Sequence, residues 1–231
     1  MFAISIDVDW AIQPLIDDVS KILDNFKIHG TFFLTNKINY SNLSNHELAI
    51  HPNFEGSTNF EAILEKTLRI LPTNNCKGSR SHKLYYNSSL PQIYQKFGLE
   101  YDSNYILPNY EKPIPFFIPH SKILEIPFFF GDDALLTNNS NFNLNKIDLH
   151  DNGVKVFMFH PIHIFLNSNS IHSYQNIKNN YDNFEYLNSQ KNSKEGIRSF
   201  FIELLEFIEK NNIKTQTMNE VNKIWRKKLE K

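Results

Sequence analysis

Asp7 and Asp9, His51, Arg80 and His82, and His160 and His163 are the side chains in this sequence best equipped for hydrolytic chemistry. Each group closes an apolar stretch. Asp7-Val8-Asp9-Trp10 follows residues 2–6, and His51-Pro52-Asn53 follows 48–50. Arg80-Ser81-His82 follows Cys76, and His160-Pro161-Ile162-His163 follows 154–159. Strands that end again and again in an acid, a base or an imidazole point to one common rim, where α/β folds keep their active sites. Amide or ester hydrolysis needs a polarised carbonyl, an activated water and an acid for the leaving group, and a divalent metal eases the first two. Two acids, several histidines and one arginine on a single rim predict a hydrolytic metal site.

Strand–helix alternation supplies the elements that would position these groups. The patterning predicts strands over 2–8, 31–34, 47–50, 76–82, 99–102 and 154–159. Helices are expected over 15–26, 60–71 (capped by Ser57 or Thr58), 90–97, 194–210 and 218–229, with a last strand at 213–217. Residues 107–149 carry five prolines, at 108, 113, 115, 119 and 127. Irregular β structure is expected there, with strands at 116–118 and 123–130 and a loop at 132–140. A turn at 151–153 precedes the 154–159 strand. Residues 167–193 are rich in Asn, Ser and Tyr without a firm period and read as an excursion or lid. One α/β domain spanning 1–231 accounts for the whole chain.

Composition narrows the function. Hydrophobic residues make up 41% of the 231, which excludes global disorder. A formal net charge of −1 offers no basic excess for a nucleic-acid backbone. No run reaches the ~20 apolar residues of a membrane helix, and residues 1–7 lack a charged, cleavable leader, so a cytoplasmic location is expected. The single cysteine, Cys76, rules out an internal disulfide and a cysteine-clustered zinc site, and it reads as core rather than nucleophile. Each site residue also has a plainer reading. Asp9 could cap the helix that follows it, His51 could be a turn histidine, and Trp10 could pack rather than stack on a sugar. His46, at the opposite end of its strand from His51, reads as structural.

In this order the motifs resemble those of the polysaccharide deacetylase family, the metal-dependent sugar N- and O-deacetylases. Ile6-Asp7-Val8-Asp9 stands at the family's first acidic motif and Gly30-Thr31-Phe32-Phe33-Leu34 at its second strand. Glu47-Leu48-Ala49-Ile50-His51 stands at the metal-histidine strand and Gly78-Ser79-Arg80 at the arginine motif. The last histidine strand is matched by 153–160, and the turn into the terminal helix by Thr217-Met218-Asn219-Glu220-Val221. The resemblance implies a distorted (β/α) barrel of about seven parallel strands with the site at their C-terminal ends. It implies Asp7 as general base, Arg80 holding that base, His160 as general acid, and Asp9 and His51 as ligands of a divalent metal, expected to be zinc.

The sequence departs from the family at three places. Val8 separates the two acids, Glu55 stands where a second metal histidine is usual, and Ser81-His82-Lys83 replaces the residues after the motif arginine. The third ligand is therefore His82 or Glu55, with His82 preferred because zinc favours imidazole. Trp10, His163 and the remaining one of the pair, Glu55, are expected to touch substrate. The activity implied is removal of an acetyl or related acyl group from an amino sugar or nucleotide-sugar intermediate, in surface-polysaccharide synthesis. The rival is a catalytically idle barrel that binds a saccharide or partner protein.

Overall fold

The structure is a computed structural model that describes residues 1–73, 75–108, 112–137, 142–149 and 153–230. Phe2–Asp7 (β1) is buried at every position, as expected of a parallel strand covered on both faces. Around it lie Thr31–Leu34 (β2), Glu47–Ile50 (β3), Gly78–Ser79 (β4), Tyr101–Asp102 (β5), Phe116–Phe117 (β6), Leu124–Glu125 (β7), Phe130–Gly131 (β8) and Lys155–Phe159 (β9). They form one sheet in the order β6-β7-β5-β4-β3-β2-β1-β9-β8. Eight strands run parallel and β6 is an antiparallel edge, against the seven or so parallel strands expected.

β7, beside the edge strand β6, and β8, at the far end, are separated by the rest of that order, yet only residues 126–129 join them. Four extended residues reach roughly 14 Å, so the sheet must curl until its two ends meet. The linking segment carries out the closure. Ile126 N donates to Asp102 O on one side, and Phe129 N donates to Val156 O on the other. The result is a distorted (β/α) barrel, in which every parallel strand ends at the same rim.

Helices Gln13–Asn25 (α1), Phe60–Leu68 (α2) and Leu90–Lys96 (α3) follow the early strands. Leu15, Ile16, Val19, Ile22 and Leu23 of α1 are buried, the stripe that the spacing predicts. Asp132–Thr137 (α4), Pro161–Leu166 (α5), Ile171–Ile177 (α6), Phe184–Ser189 (α7), Ile197–Lys210 (α8) and Met218–Leu229 (α9) complete the chain. α8 sets Phe200 in stacking contact with Phe130 and Phe201 edge-on to Phe159. Thr217 and Glu220 form a capping box at the start of α9. No helix among the described residues is long and apolar enough to cross a membrane.

Several expectations need correction. The strand expected over 76–82 shrinks to two residues. A Cβ on Gly78 would lie 1.8 Å from the Tyr101 ring, which marks how closely that ring covers β4. Past Ser79 the chain stays extended against the third strand's exit, with Arg80 N bonded to Ile50 O and His82 N to Pro52 O. It then turns through left-handed Lys83 and Leu84. Residues expected as a loop from 132 begin with α4, because two acids at a helix start favour it and Ala134-Leu135-Leu136 propagate it; positions 138–140 lie outside the described residues. The 167–193 excursion contains the short helices α6 and α7, whose few buried residues, such as Ile177 and Leu187, are too sparse to show a period. The strand at 213–217 is a single bridge from Thr215 to Phe2. Asn59, rather than Ser57 or Thr58, caps α2. Of the turn at 151–153, residues 151 and 152 lie outside the described set.

Candidate active site

β1 delivers Asp7 to the inside of the rim, where it meets Arg80. The Arg80 side chain is fully buried. Its Nη1 donates to Asp7 Oδ1 at 2.8 Å and to Ser5 Oγ at 2.9 Å; Nε donates to Ser103 O and Nη2 to Ser103 Oγ. The guanidinium also lies 4.5 Å from the centroid of Phe33 and 5.0 Å from that of Phe128. Charge-assisted bonds on three nitrogens and aromatic rings nearby leave Arg80 one rotamer, and Arg80 in turn fixes one oxygen of Asp7.

Two residues further on, the chain bends sharply. Asp9 and Trp10 both adopt left-handed backbone conformations (φ 46° and 58°), which for non-glycine residues costs about 1–2 kcal/mol each. Strain of this kind collects at functional sites. Here it aims the Asp9 carboxylate at two imidazoles. Asp9 Oδ1 lies 3.1 Å from His51 Nε2 and 2.9 Å from His82 Nδ1. Burial works against the Asp9 charge, but the bonds from His51 and His82 and the nearby His160 hold its carboxyl well below the usual carboxylate range. Asp9 does not cap α1, whose N-cap position is Ile12.

His160 leaves the end of β9 and is held by Asp132 at two points. Its Nδ1 lies 2.7 Å from Asp132 Oδ1, and its backbone N donates to Asp132 Oδ2 at 2.7 Å. Nε2 is left facing Asp9 Oδ2 at 3.6 Å. Burial opposes protonation of His160, yet the carboxylates of Asp133, Asp132 and Asp9 together raise its pKa well above the usual histidine value. His163 sits one helical turn on and bonds Asp133 Oδ1 through Nε2 and Ser168 Oγ through Nδ1.

Asp7, Asp9, His51, His82 and His160 thus line one cleft of about 300 Å³, whose apolar wall includes Leu84, Ile106, Phe128 and Met158. The ligand atoms of Asp9, His51 and His82 all lie within 4.8 Å of one another. Two imidazole nitrogens converging on one carboxylate oxygen are a donor set that suits zinc. Asp133, His160 and His163 form a second such group. That group lies partly outside the cleft, since His163 does not line it, and His160 Nδ1 and His163 Nδ1 are held by Asp132 and Ser168 from outside the group.

The other expected residues lie elsewhere. Glu55 is exposed and its carboxylate is taken by Lys83 Nζ at 2.7 Å. Trp10 is exposed and meets His82 edge-on rather than lining the cleft. His163 is buried behind His160. His46 bonds Gly30 N and Ser20 Oγ inside the fold, a structural place as expected. Cys76 is buried, and burial pushes its thiol up to about 12.

Asp132, Asp133 and Ser103 are absent from the expected set. Asp132 and Asp133 were legible, because Gly131-Asp132-Asp133 closes the apolar run 123–130 in the same way as the four clusters close theirs.

A further buried acid pair stands behind Arg80. Asp102 and Glu125 are register partners on β5 and β7, and each keeps one buried oxygen without a hydrogen-bond partner among the described residues. Burial pushes the Asp102 carboxyl up to about 7 and, together with the Asp102 charge, raises Glu125 well above the carboxylate range. A carboxyl whose pKa is raised by folding favours the folded state below its unfolded pKa, and that contribution fades as pH rises through the folded value. Asp102→Asn should therefore gain thermal stability relative to wild type progressively between about pH 4 and pH 7. Melting the two proteins side by side over that range tests this; a pH-independent difference would show that Asp102 titrates normally.

No curated protein sequence matches the chain. Among solved structures, a candidate polysaccharide deacetylase involved in O-antigen biosynthesis from Bordetella bronchiseptica is 24% identical, with a TM-score of 0.80 over 89% of this chain and 90% of that one. A candidate polysaccharide deacetylase from Mycobacterium smegmatis is 15% identical, with a TM-score of 0.55 over 98% and 90%. A CE4 family pseudoenzyme from Bacillus anthracis is 15% identical, with a TM-score of 0.51 over 96% and 65%. These likenesses establish the barrel fold. The sequence profile of one family goes further and matches residues 4–178, the stretch that carries every residue of the cleft. The chain belongs to the WbmS-like polysaccharide deacetylases.

Proposed function

We propose that the protein is a metal-dependent deacetylase that removes an acetyl group from an amino sugar of a surface polysaccharide or its precursor. The observation that carries this reading is the convergence of Asp7, the Asp9–His51–His82 set and His160 on one cleft. Asp9, His51 and His82 would hold a divalent ion, expected to be zinc, which when bound polarises a carbonyl and lowers the pKa of water.

The chain's own groups supply the remainder. Asp7, with one oxygen fixed by Arg80, takes the proton of the attacking water. Water oxygen bonds to the acyl carbon, the C–N bond breaks, and His160 Nε2 gives a proton to the leaving amine while Asp132 holds the ring from behind. The apolar wall of Leu84, Ile106, Phe128 and Met158 gives the acyl methyl a place away from water. The products are acetate and the free amino sugar.

Metal content tests the core of this reading. Protein purified without chelator should carry about one zinc-like ion per chain. His51→Ala and His82→Ala should lose it and Glu55→Ala should keep it, because Glu55 is bonded to Lys83 outside the set. A wild type that takes up no metal even on reconstitution would end the hydrolase reading and leave an idle, saccharide-binding barrel.

A further inference from the structure

The cleft opens beside a ridge of exposed aromatic rings. Leu84 and Ile106 line the cleft; Tyr105 immediately precedes Ile106 in the chain, and Tyr86 stands two residues after Leu84. Tyr86, Tyr105 and Phe116 are 51%, 42% and 41% exposed. Their rings are contiguous, with centroids 6.1 Å apart from Tyr86 to Tyr105 and 6.1 Å from Tyr105 to Phe116. Three separate segments build the ridge. Tyr86 follows the His82 turn, Tyr105 is tied to Glu125 through its backbone N, and Phe116 sits on β6. Exposed rings scattered singly need no explanation, but a contiguous apolar patch running out of a cleft marks a ligand surface.

Charge narrows the ligand. Lys83 is the only lysine or arginine among the described residues lining the cleft, and its ammonium is already held by Glu55. A nucleotide diphosphate would find no free lysine or arginine there. Pyranose rings offer what the ridge can use: apolar C–H faces for the rings, and hydroxyls for the tyrosine O–H groups. The ring spacing is on the scale of one sugar unit.

We infer that Tyr86, Tyr105 and Phe116 form a binding platform for successive sugars, so that the chain takes a neutral oligosaccharide rather than a single sugar or a nucleotide-linked one. The choice of saccharide rests on the deacetylase reading; the continuity of ridge and cleft does not.

The test uses Asp7→Asn protein, which should bind without turning over. Calorimetry would follow α- and β-linked N-acetylhexosamine chains of one to six units. Affinity should rise with length, by about threefold to tenfold for each ring engaged. A Tyr86→Ala/Tyr105→Ala/Phe116→Ala triple variant should lose that gain while keeping monosaccharide binding and its thermal midpoint. If the triple variant does not fold, shifts of the tyrosine ring protons in the Asp7→Asn protein on adding each chain give the same readout.

No gain with length across the panel, or an undiminished gain in the triple variant, would overturn the platform. A fall in molecular mass in the triple variant with sugar binding unchanged would overturn it too and assign the ridge to self-association. Length-dependent binding without turnover by the wild type would instead sink the deacetylase reading and leave the platform standing.

Discussion

Asp7→Asn protein is expected to retain its metal and to lose about 10²–10⁴ in kcat, the range that a positioned general base contributes. The carboxamide has the volume of the carboxylate and keeps an oxygen for Arg80 Nη1, which sits 2.8 Å from Asp7 Oδ1. What it loses is the ability to accept a proton from water. Asp9, His51 and His82 are a separate donor set, so metal content should not move. Asp9→Asn makes the contrast. There the oxygen facing both imidazoles is weakened, and metal content and activity should fall together. Acetate release from an N-acetylated saccharide, measured beside metal analysis of the same samples, separates the two. Near wild-type turnover in Asp7→Asn would mean that another group takes the proton, and the division of labour between the two acids would fail.

The two acids also show how far the sequence could be read. Their spacing on a strand end was visible, and so was the rim they share with His51, Arg80 and His160, because parallel strands end together. What linear pattern could not show was the bend between them. Strand alternation treats Asp7 and Asp9 as equivalent, whereas left-handed Asp9 and Trp10 turn the second carboxylate onto the histidines. The choice between Glu55 and His82 had the same origin. Glu55 stands at the expected position but leaves with the exposed loop, while the Ile50 and Pro52 carbonyls keep Arg80 and His82 running alongside His51. Ser103, Asp102 and Glu125 were missed because nothing in their own stretches of sequence says which groups they face. Their meaning comes from neighbours across the sheet, 23 positions away in sequence. Barrel closure was equally nonlocal, since residues 126–129 join the two ends of the sheet through bonds to Asp102 and Val156.

Arg80→Met should destabilise the protein by about 3–5 kcal/mol and abolish turnover, because truncating one partner of a buried ion pair strands the other. Asp7 is buried like its partner, and the two form an ion pair at 2.8 Å. Ser5 Oγ, Ser103 O and Ser103 Oγ would lose a donor in the same step. Denaturant unfolding measures the loss, and a cost under about 1 kcal/mol would show that the pair is not held as tightly as its geometry implies. Arg80→Lys should fall between, since one ammonium cannot reach Asp7 and both Ser103 groups together. The informative protein is the double variant Arg80→Met/Asp7→Asn. With no stranded charge left it should recover a large part of the lost stability, as buried pairs replaced together often do. Activity should not return with it. That split would mean Arg80 is retained to hold the Asp7 carboxylate in one orientation beside the Asp9–His51–His82 set, at a position where methionine and asparagine would serve the fold almost as well.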